Sequence, residues 1–190
     1  MRLLKITFAG IFALTSLSLT AFSQAASAED MAAKKAMQMQ QDRTAIEKVL
    51  VQYTTGLDTL NADLYATAFT PNAKFYRGED ENGKPILYKE GRDQIRTIIT
   101  DLIKSREERA AAQKKDSEGG DPQVSAPMMH HVMTNAVIEF VDENTAHHYS
   151  YWMTVVGSGR DFRVAGMGRY DDTIIKQNGK WLINERNLMR

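Results

Sequence analysis

The sequence contains no cysteine, only four prolines and four histidines, and no excess of either charge. Without cysteine the chain cannot form a disulfide, a zinc site with thiolate ligands or a cysteine nucleophile. The 24 basic and 24 acidic residues balance, so nothing favours nucleic acid or an anionic membrane surface as a partner. The apolar content of 43% indicates a globular protein.

The one long apolar run lies at the start of the chain. Arg2 and Lys5 precede apolar residues 6 to 22, which several serines and threonines interrupt, and the triplet Ala-Ser-Ala follows at 26 to 28. This order predicts a signal peptide over residues 1 to 28, cleaved near Ala28, rather than a retained membrane span. We therefore expect an exported, periplasmic or secreted protein with no membrane contact after cleavage. Its mature net charge is about −2, because Arg2 and Lys5 are the only charges removed.

The remainder is the size of one domain. Residues 29 to 41 are rich in Met, Gln, Lys and Ala and fit either a flexible or a helical extension, and the domain itself is expected over 42 to 190. A first helix is predicted from Asp42 to about Gly56, because apolar residues recur there at helical spacing. A short second helix is predicted through Leu64 and Phe69, with a stop at Pro71.

The spacing of apolar residues then changes from one typical of helices to one typical of strands. The segments "AKFYRG" and "PILYKEG" predict two short strands, and a third helix is expected after Gly91. The polar insertion at about 104 to 126 fits either a lid or a disordered loop. Four β-rich runs follow, separated by "DEN", "SGRD" and "QNGK". They predict an antiparallel meander, and thus an α+β domain whose twisted sheet curls around a pocket beneath the helices.

All four histidines lie in the doublets "MMHHVMTN" and "TAHHYSYW". A hairpin closed near 142 to 145 places His147 and His148 opposite Phe140 and Glu139, roughly 26 to 33 Å from the first doublet. Four histidines so far apart cannot share a metal ion, and no metal site is predicted. A zinc site built from one doublet plus distant carboxylates is the alternative to this prediction.

Alternation along a strand allows only one histidine of each doublet to face the pocket. His131 and Met133 belong to the more mixed set of the first run, as expected for a pocket wall, whereas His130 belongs to the other set. The opposite assignment also fits, and a bulge would exchange the two faces.

Four segments, "AIEKVLVQYTTGLDTLNADLYATAFTPNAKF", "EGRDQIRTII", "HHVMTNAVIEFVDENTAHHYSYW" and "GMGRYDDTIIKQNGKWLINER", resemble the SnoaL-like branch of the nuclear transport factor 2-like superfamily. The resemblance covers about residues 42 to 190. It implies a cone in which a curved mixed or antiparallel sheet wraps around N-terminal helices and encloses an apolar pocket. Such a resemblance identifies a fold more securely than a reaction.

The resemblance also implies site residues. In eliminating members of the branch, an aspartate after the first helix and a histidine on a later strand form a catalytic dyad, and these match Asp58 and His131. Tyr53 matches a polar pocket position and Arg186 an arginine at the pocket edge, so both are candidate donors to the leaving group. A histidine base needs no shift in its pKa to work near neutral pH, and this chemistry requires neither metal nor organic cofactor.

Structural alternatives remain open for these residues. Asp58 also fits a helix cap, Tyr53 fits a packing role, and Arg186 fits a surface ion pair with Glu185. If Tyr53 and Asp58 shared one regular helix they would lie about 140° apart, so their joint use requires the chain to turn near Gly56.

The leading functional hypothesis is a cofactor-independent lyase, of the dehydratase type, acting on a hydrophobic cyclic small molecule. The predicted substrate-binding residues are Phe69, Met133, Tyr149, Tyr151 and Trp152. The alternatives are an exported, non-catalytic protein that binds a small apolar ligand, and an isomerase or epoxide hydrolase on the same scaffold. The resemblance further implies a homo-oligomer, either a trimer or a dimer.

Overall fold

The computed structural model describes residues 14–116, 128–158 and 160–189. The chain divides into two compact units, Met1–Asp42 and Arg43–Arg190. Its elements are, in chain order, α1 (Leu14–Asp58), α2 (Ala62–Ala66), β1 (Phe69–Glu79), β2 (Pro85–Glu90), α3 (Arg92–Asp116), β3 (Met128–Phe140), β4 (Thr145–Ser158), β5 (Asp161–Gln177) and β6 (Lys180–Met189). None of the helices in these described ranges is long and apolar enough to cross a membrane.

In the first unit, residues 14 to 42 belong to α1, so the extension at 29 to 41 is helical. Its methionines Met31, Met37 and Met39 are exposed. The predicted signal peptide includes residues 1 to 13, which lie outside the described residues, and its cleavage stays a prediction.

The second unit confirms the predicted α+β class. Its described residues form one sheet of six strands in the order β2-β1-β6-β5-β4-β3. Strands β3 to β6 form the expected antiparallel meander, while β1 pairs parallel to β6 and antiparallel to β2. The sheet is therefore mixed, and the first two strands extend it beyond the meander.

The core lies where the helices meet the sheet. The predicted apolar stripe of α1 is buried, and α3 contributes Ile95 and Ile99, both with no exposed surface. Burying such aliphatic side chains contributes about 1.5 to 3 kcal/mol each relative to leaving them in water. The first part of the 104 to 126 insertion continues α3 to Asp116, and residues 117 to 127 lie outside the described residues.

The second helix is shorter than predicted. It ends at Ala66, and Phe69 opens β1 instead of continuing the helix. Phe69 pairs with Ile183 of β6, the Ile183 N–H donates to the Ala68 carbonyl, and the Phe69 ring is fully buried. Long-range pairing thus overrides the local helical pattern. Pro71 falls where the β1–β6 register shifts, so its missing N–H costs no regular ladder bond.

The first helix ends at Asp58, two residues beyond the predicted end near Gly56. The chain reverses at Leu60, whose φ of 55° lies in the left-handed region. Asn61 then caps α2 by accepting a hydrogen bond from the Leu64 N–H at 2.9 Å. Gly56 has a packing role, because a Cβ there would lie 2.5 Å from the backbone nitrogen of Tyr65.

Strand β3 contains a bulge that exchanges its two faces. Thr134 pairs with Tyr151 and Val137 with Tyr149, so β3 carries one extra residue, and Asn135 there has a φ of 54°. Before the bulge the odd residues, including His131 and Met133, are the more buried ones, and beyond it the even residue Ile138 is buried. No single alternation could therefore describe this strand.

The strand register places the two histidine doublets far apart, as predicted, but the cross-strand partners of His147 and His148 differ from the predicted ones. His147 pairs with Glu139 and His148 with Ile138, one residue away from the predicted partners. The turn of the hairpin, over residues 141 to 144, accounts for the shift, because Phe140 pairs with Ala146.

Candidate functional site

Asp58 and His131 meet through three hydrogen-bonding contacts. His131 Nδ1 lies 2.6 Å from Asp58 Oδ1, and the His131 backbone N–H donates to Oδ1 and Oδ2 at 3.0 and 3.1 Å. Their side chains are 10% and 20% exposed, respectively. One carboxylate at the end of α1 therefore fixes both the backbone and the ring of a residue on β3. With the Nδ1 proton directed to Asp58, Nε2 carries the free lone pair and can accept a proton.

The neighbouring histidine does not share this arrangement. His130 Nδ1 lies 3.9 Å from Asp58 Oδ2, beyond hydrogen-bonding distance, and its side chain is 55% exposed. The predicted choice of His131 over His130 as the partner of Asp58 matches this geometry. His130 therefore offers a matched control for substitutions at His131.

His131 forms part of the wall of a cavity of about 460 Å³ between α1, α3 and the sheet. The cavity is lined by aromatic and aliphatic side chains with a few polar groups, namely Tyr53, Leu57, Tyr65, Phe75, Arg77, Tyr88, Ile98, Asp101, Leu102, Ser105, His131, Trp152, Thr154, Tyr170 and Leu188. Its volume and lining suit a small ring compound. Asp58 contacts His131 and does not itself line the cavity, whereas Tyr53 does. The two residues can therefore point in different directions from α1 and still both belong to the site.

Among the predicted substrate-binding residues, the structure brings only Trp152 to this cavity. Tyr149 and Tyr151 lie on the opposite face of β4, 44% and 51% exposed, because residues of even number face the core on this strand. They line a separate groove on the outer face of the sheet. Phe69 is fully buried against the rings of Tyr53 and Tyr65, and Met133 packs against the core.

Arg186 is fully buried instead of lying at the cavity edge. Its Nε and Nη2 donate to Asp172 Oδ1 and Oδ2 at 2.8 and 2.6 Å. Its guanidinium carbon lies over the rings of both Tyr53 and Tyr170, 3.9 and 4.1 Å from their centroids. His148 Nδ1 completes the cluster 2.7 Å from Asp172 Oδ2. The sequence-based pairing of Arg186 with Glu185 is therefore wrong.

Electrostatics in this cluster follow from burial and pairing. Burial by itself would raise the pKa of Asp172, but Arg186 and His148 together hold that pKa below its ordinary value. Burial would likewise lower the pKa of Arg186, and the Asp172 carboxylate raises it instead. Both groups remain charged at neutral pH, so the ion pair is a permanent feature beneath the cavity.

Sequence reasoning did not select Tyr65, Tyr170 or Asp172 as neighbours of the site. The sequence contained one sign of a buried carboxylate. Asp172 alternates with Tyr170 and Ile174 along β5, so the three share one strand face, and all three are buried. A buried carboxylate requires a buried cation or several donors. The only sequence clue to Arg186 as that cation was its place on the last strand.

Acidic and histidine side chains do not form a metal site in the described part of the chain, where no three of them are suitably grouped. Within the same described residues, no third side chain of these types is grouped with Asp58 and His131 to hold a metal ion.

The comparisons with known proteins agree with the fold. The family model of the SnoaL-like domain matches residues 38–187. A search of curated protein sequences finds no match.

Solved structures with the same fold come from several organisms. A variant of a protein of unknown function from Mycobacterium tuberculosis is 22% identical, with a TM-score of 0.56 over 80% of this chain and 73% of that one. A provisionally assigned scytalone dehydratase from Novosphingobium aromaticivorans is 19% identical, with a TM-score of 0.56 over 80% and 86%. The beta subunit of a provisionally assigned aromatic-ring-hydroxylating dioxygenase from the same organism is 16% identical, with a TM-score of 0.59 over 80% and 90%. At these identities the likeness establishes the fold alone.

Proposed function

Because the chain belongs to the SnoaL-like domain family, we propose that the protein is a cofactor-independent lyase that eliminates water from a hydrophobic cyclic small molecule. The observation that carries the proposal is the 2.6 Å hydrogen bond between Asp58 and His131, with His131 in the wall of a cavity lined mainly by rings and aliphatic chains. A histidine oriented by a carboxylate at the edge of an apolar cavity is suited to remove a proton from carbon.

The reaction needs a base and an acid. Nε2 of His131 takes a proton from the carbon next to an activating group, and Asp58 stabilises the imidazolium that forms. The electrons of the broken C–H bond form the new C=C bond as the adjacent C–O bond breaks. Hydroxide leaves with one proton as water, so the substrate loses one water in total.

Tyr53 is the better placed of the two predicted donors. Tyr53 lines the cavity. In Arg186 the two nitrogens that have hydrogen-bond partners, Nε and Nη2, both donate to Asp172. We therefore assign the proton donation to a cavity hydroxyl such as that of Tyr53 and give Arg186 no direct contact with the substrate.

Support for a dehydratase comes also from one relative. The structure from Novosphingobium aromaticivorans that carries the provisional assignment of scytalone dehydratase shares the fold. The cavity of about 460 Å³ has the volume expected for a ring compound of drug-like size.

The test is turnover of a panel of cyclic β-hydroxy ketones by the chain beginning at Glu29. Loss of a general base typically costs about 10²- to 10⁴-fold in rate. We expect losses of this size in kcat/KM for H131Q and D58N, whereas H130Q, altered at the exposed neighbour, should retain nearly full activity. Equal activity of H131Q and wild type on a verified substrate would refute the mechanism. Conversion of a panel member without net loss of water would indicate an isomerase, and net addition of water to a cyclic epoxide would indicate an epoxide hydrolase.

A second candidate function is a non-catalytic, exported protein that binds an apolar ligand or a partner subunit. It is favoured by the outer sheet face, where Tyr149, Tyr151, Val164 and Met167 are 44% to 67% exposed. A relative with this fold is described as a dioxygenase beta subunit. Recovery of the bound ligand chemically unchanged, with no turnover across the panel, would support this function over the lyase.

The same outer face supports a proposal of self-association. Exposed apolar side chains on β3, β4 and β5 form a contiguous surface that a second copy of the chain would cover. Export after cleavage near Ala28 likewise remains a proposal based on residues 1 to 28.

A further inference from the structure

The rim of the cavity carries an arginine without a counter-ion. Ala73, Phe75 and Arg77 alternate along one side of β1, and the first two are buried whereas Arg77 is exposed. The Arg77 side chain lines the cavity. Among the described residues its guanidinium has neither an ion-pair partner nor a hydrogen-bond acceptor. A single polar group at the edge of a mainly apolar cavity is typical of the groups that orient a ligand.

The surroundings of Arg77 concentrate positive charge at this rim. The guanidinium carbon of Arg77 lies 5.5 Å from the centroid of the Tyr88 ring, and Lys89 Nζ lies 5.4 Å from the same centroid. Tyr88 also lines the cavity and is 43% exposed. Attraction between each cation and the ring favours positions beside Tyr88 for both. The two positive charges are therefore held near one aromatic ring at the opening.

The negative charge at the rim already has a partner. Of the described residues that line the cavity, Asp101 alone has a carboxylate. Its Oδ2 lies 3.9 Å from Lys89 Nζ, and no ion pair joins it to Arg77. Two cations thus face one carboxylate at the rim, and one positive charge is left without an anion.

Arg77 and His131 lie on opposite sides of the cavity. Arg77 is on β1 and His131 is on β3, and strands β6, β5 and β4 lie between them. These three strands contribute Leu188, Tyr170 and Trp152 to the lining. A ligand that spans the cavity therefore places its ring over apolar and aromatic side chains, with one end at His131 and the other at Arg77.

We propose that the ligand of this cavity is a hydrophobic cyclic carboxylic acid whose carboxylate binds Arg77 at the rim. The planar guanidinium presents parallel N–H groups that match the two oxygens of a carboxylate. One carboxylate also supplies the single negative charge that the rim lacks. The inference rests on the proposed function in taking this cavity as the substrate site, and it names the class of substrate. Arg77 binds the end of the substrate that is remote from the reacting bond and takes no part in proton transfer.

Calorimetric titration of the purified protein tests this assignment without turnover. The probes are 2-naphthoate and 4-cyclohexylbenzoate, each compared with its primary amide, which has nearly the same shape and no charge. Wild type should bind at least one of the acids about threefold to tenfold more tightly than its amide, as expected for a charge-assisted contact that is partly open to solvent. Added salt should reduce this preference, because it screens exposed charges.

Substitution of Arg77 should remove the preference without changing the affinity for the amides. R77Q should bind each acid and its amide about equally, and R77E should bind the amide more tightly than the acid. Because the amides report on the rest of the cavity, an unchanged affinity for them shows that the cavity is intact. Thermal unfolding verifies that each variant is folded.

Arg106 provides the matched control. It follows Ser105, which lines the cavity, but its Nη2 donates to Met129 Sδ at 3.6 Å on the side of β3. R106Q removes the same charge as R77Q from a different part of the opening and should retain most of the preference. H131Q should retain it as well, even where it loses turnover.

Three results would overturn the inference. The first is a wild type that binds neither acid more tightly than its amide, and the second is a folded R77Q variant with an undiminished preference. The third is a preference that R106Q abolishes and R77Q does not. A lyase that turns over neutral ring ketones but shows no preference for acids would support the proposed function and refute this inference. A preference for acids that depends on Arg77, in a protein without turnover, would do the reverse.

Discussion

Replacing Arg186 with methionine should destabilise the protein strongly, because it leaves a buried carboxylate without its cation. The substitution removes two hydrogen bonds from Asp172 and the cation–π contacts with two tyrosine rings. All three charged or ionisable members of the cluster, Asp172, His148 and Arg186, have no exposed surface. Removing one partner of a buried pair costs about 3 to 5 kcal/mol, a large part of the 5 to 15 kcal/mol that is typical of a domain.

Urea unfolding followed by tryptophan fluorescence measures this cost, since Trp152 and Trp181 are both buried. The matched controls are D172N and the double variant D172N/R186M. The double variant should be clearly more stable than the sum of the two single losses predicts, because it leaves no unpaired charge in the core. A loss below about 1 kcal/mol for R186M, or additive losses in the double variant, would contradict the reasoning.

The effect of R186M should also depend on pH in a defined direction. In the wild type the pKa of Asp172 lies below its ordinary value of 3.8, so its contribution is complete above about pH 4 and is lost as the pH falls through the folded-state pKa. In R186M burial without the arginine should raise that pKa, and the carboxylate should become protonated at a higher pH. The difference in stability between the two proteins should therefore narrow from pH 7 to pH 4.5. A constant or widening difference would show that Asp172 is not the group responsible.

Two further substitutions test the fold and the assembly. G56A should lower the free energy of unfolding by about 1 to 3 kcal/mol, because the added Cβ would meet the backbone of α2 at 2.5 Å. T55A, at the exposed adjacent position, is the control and should change the free energy of unfolding by less than about 0.5 kcal/mol. Equal effects of the two substitutions in urea unfolding would argue against the close approach at Gly56. M167E places a charge on the exposed outer face of the sheet. It should shift the sedimentation coefficient toward that of the monomer without loss of stability. An unchanged sedimentation coefficient would show that this face is not the interface between copies.

The sequence predicted elements with a sustained period and missed those that depend on long-range pairing. The buried face of α1 and the four-stranded meander could be read from periodicity and turn residues, because each is specified locally. Phe69 was assigned to a helix because its pairing with β6, more than 100 residues later in the chain, leaves no mark on the local sequence. The bulge near Asn135 likewise changes which side chains face inward, and only the strand register reveals it.

In the candidate site, too, the features that depend on long-range pairing could not be predicted from the sequence. Asp58 and His131 were selected by resemblance, and in the structure Asp58, the last residue of α1, contacts the His131 ring. Tyr149 and Tyr151 were assigned to the cavity by aromatic character, but their alternation on β4 directs them to the other face. Arg186 was selected by resemblance as an arginine at the pocket edge, but it is buried against Asp172, and this partner could not be inferred because the pairing of β5 with β6 determines it.

The most direct test of His131 as a base is deuterium exchange into a ring ketone that lacks a leaving group, followed by NMR in heavy water. This measurement isolates the removal of the proton from every later step. Wild type and H130Q should incorporate deuterium at the carbon next to the carbonyl, and H131Q should do so at least about 100-fold more slowly. Exchange by H131Q at the wild-type rate would contradict the assignment of His131 as the base.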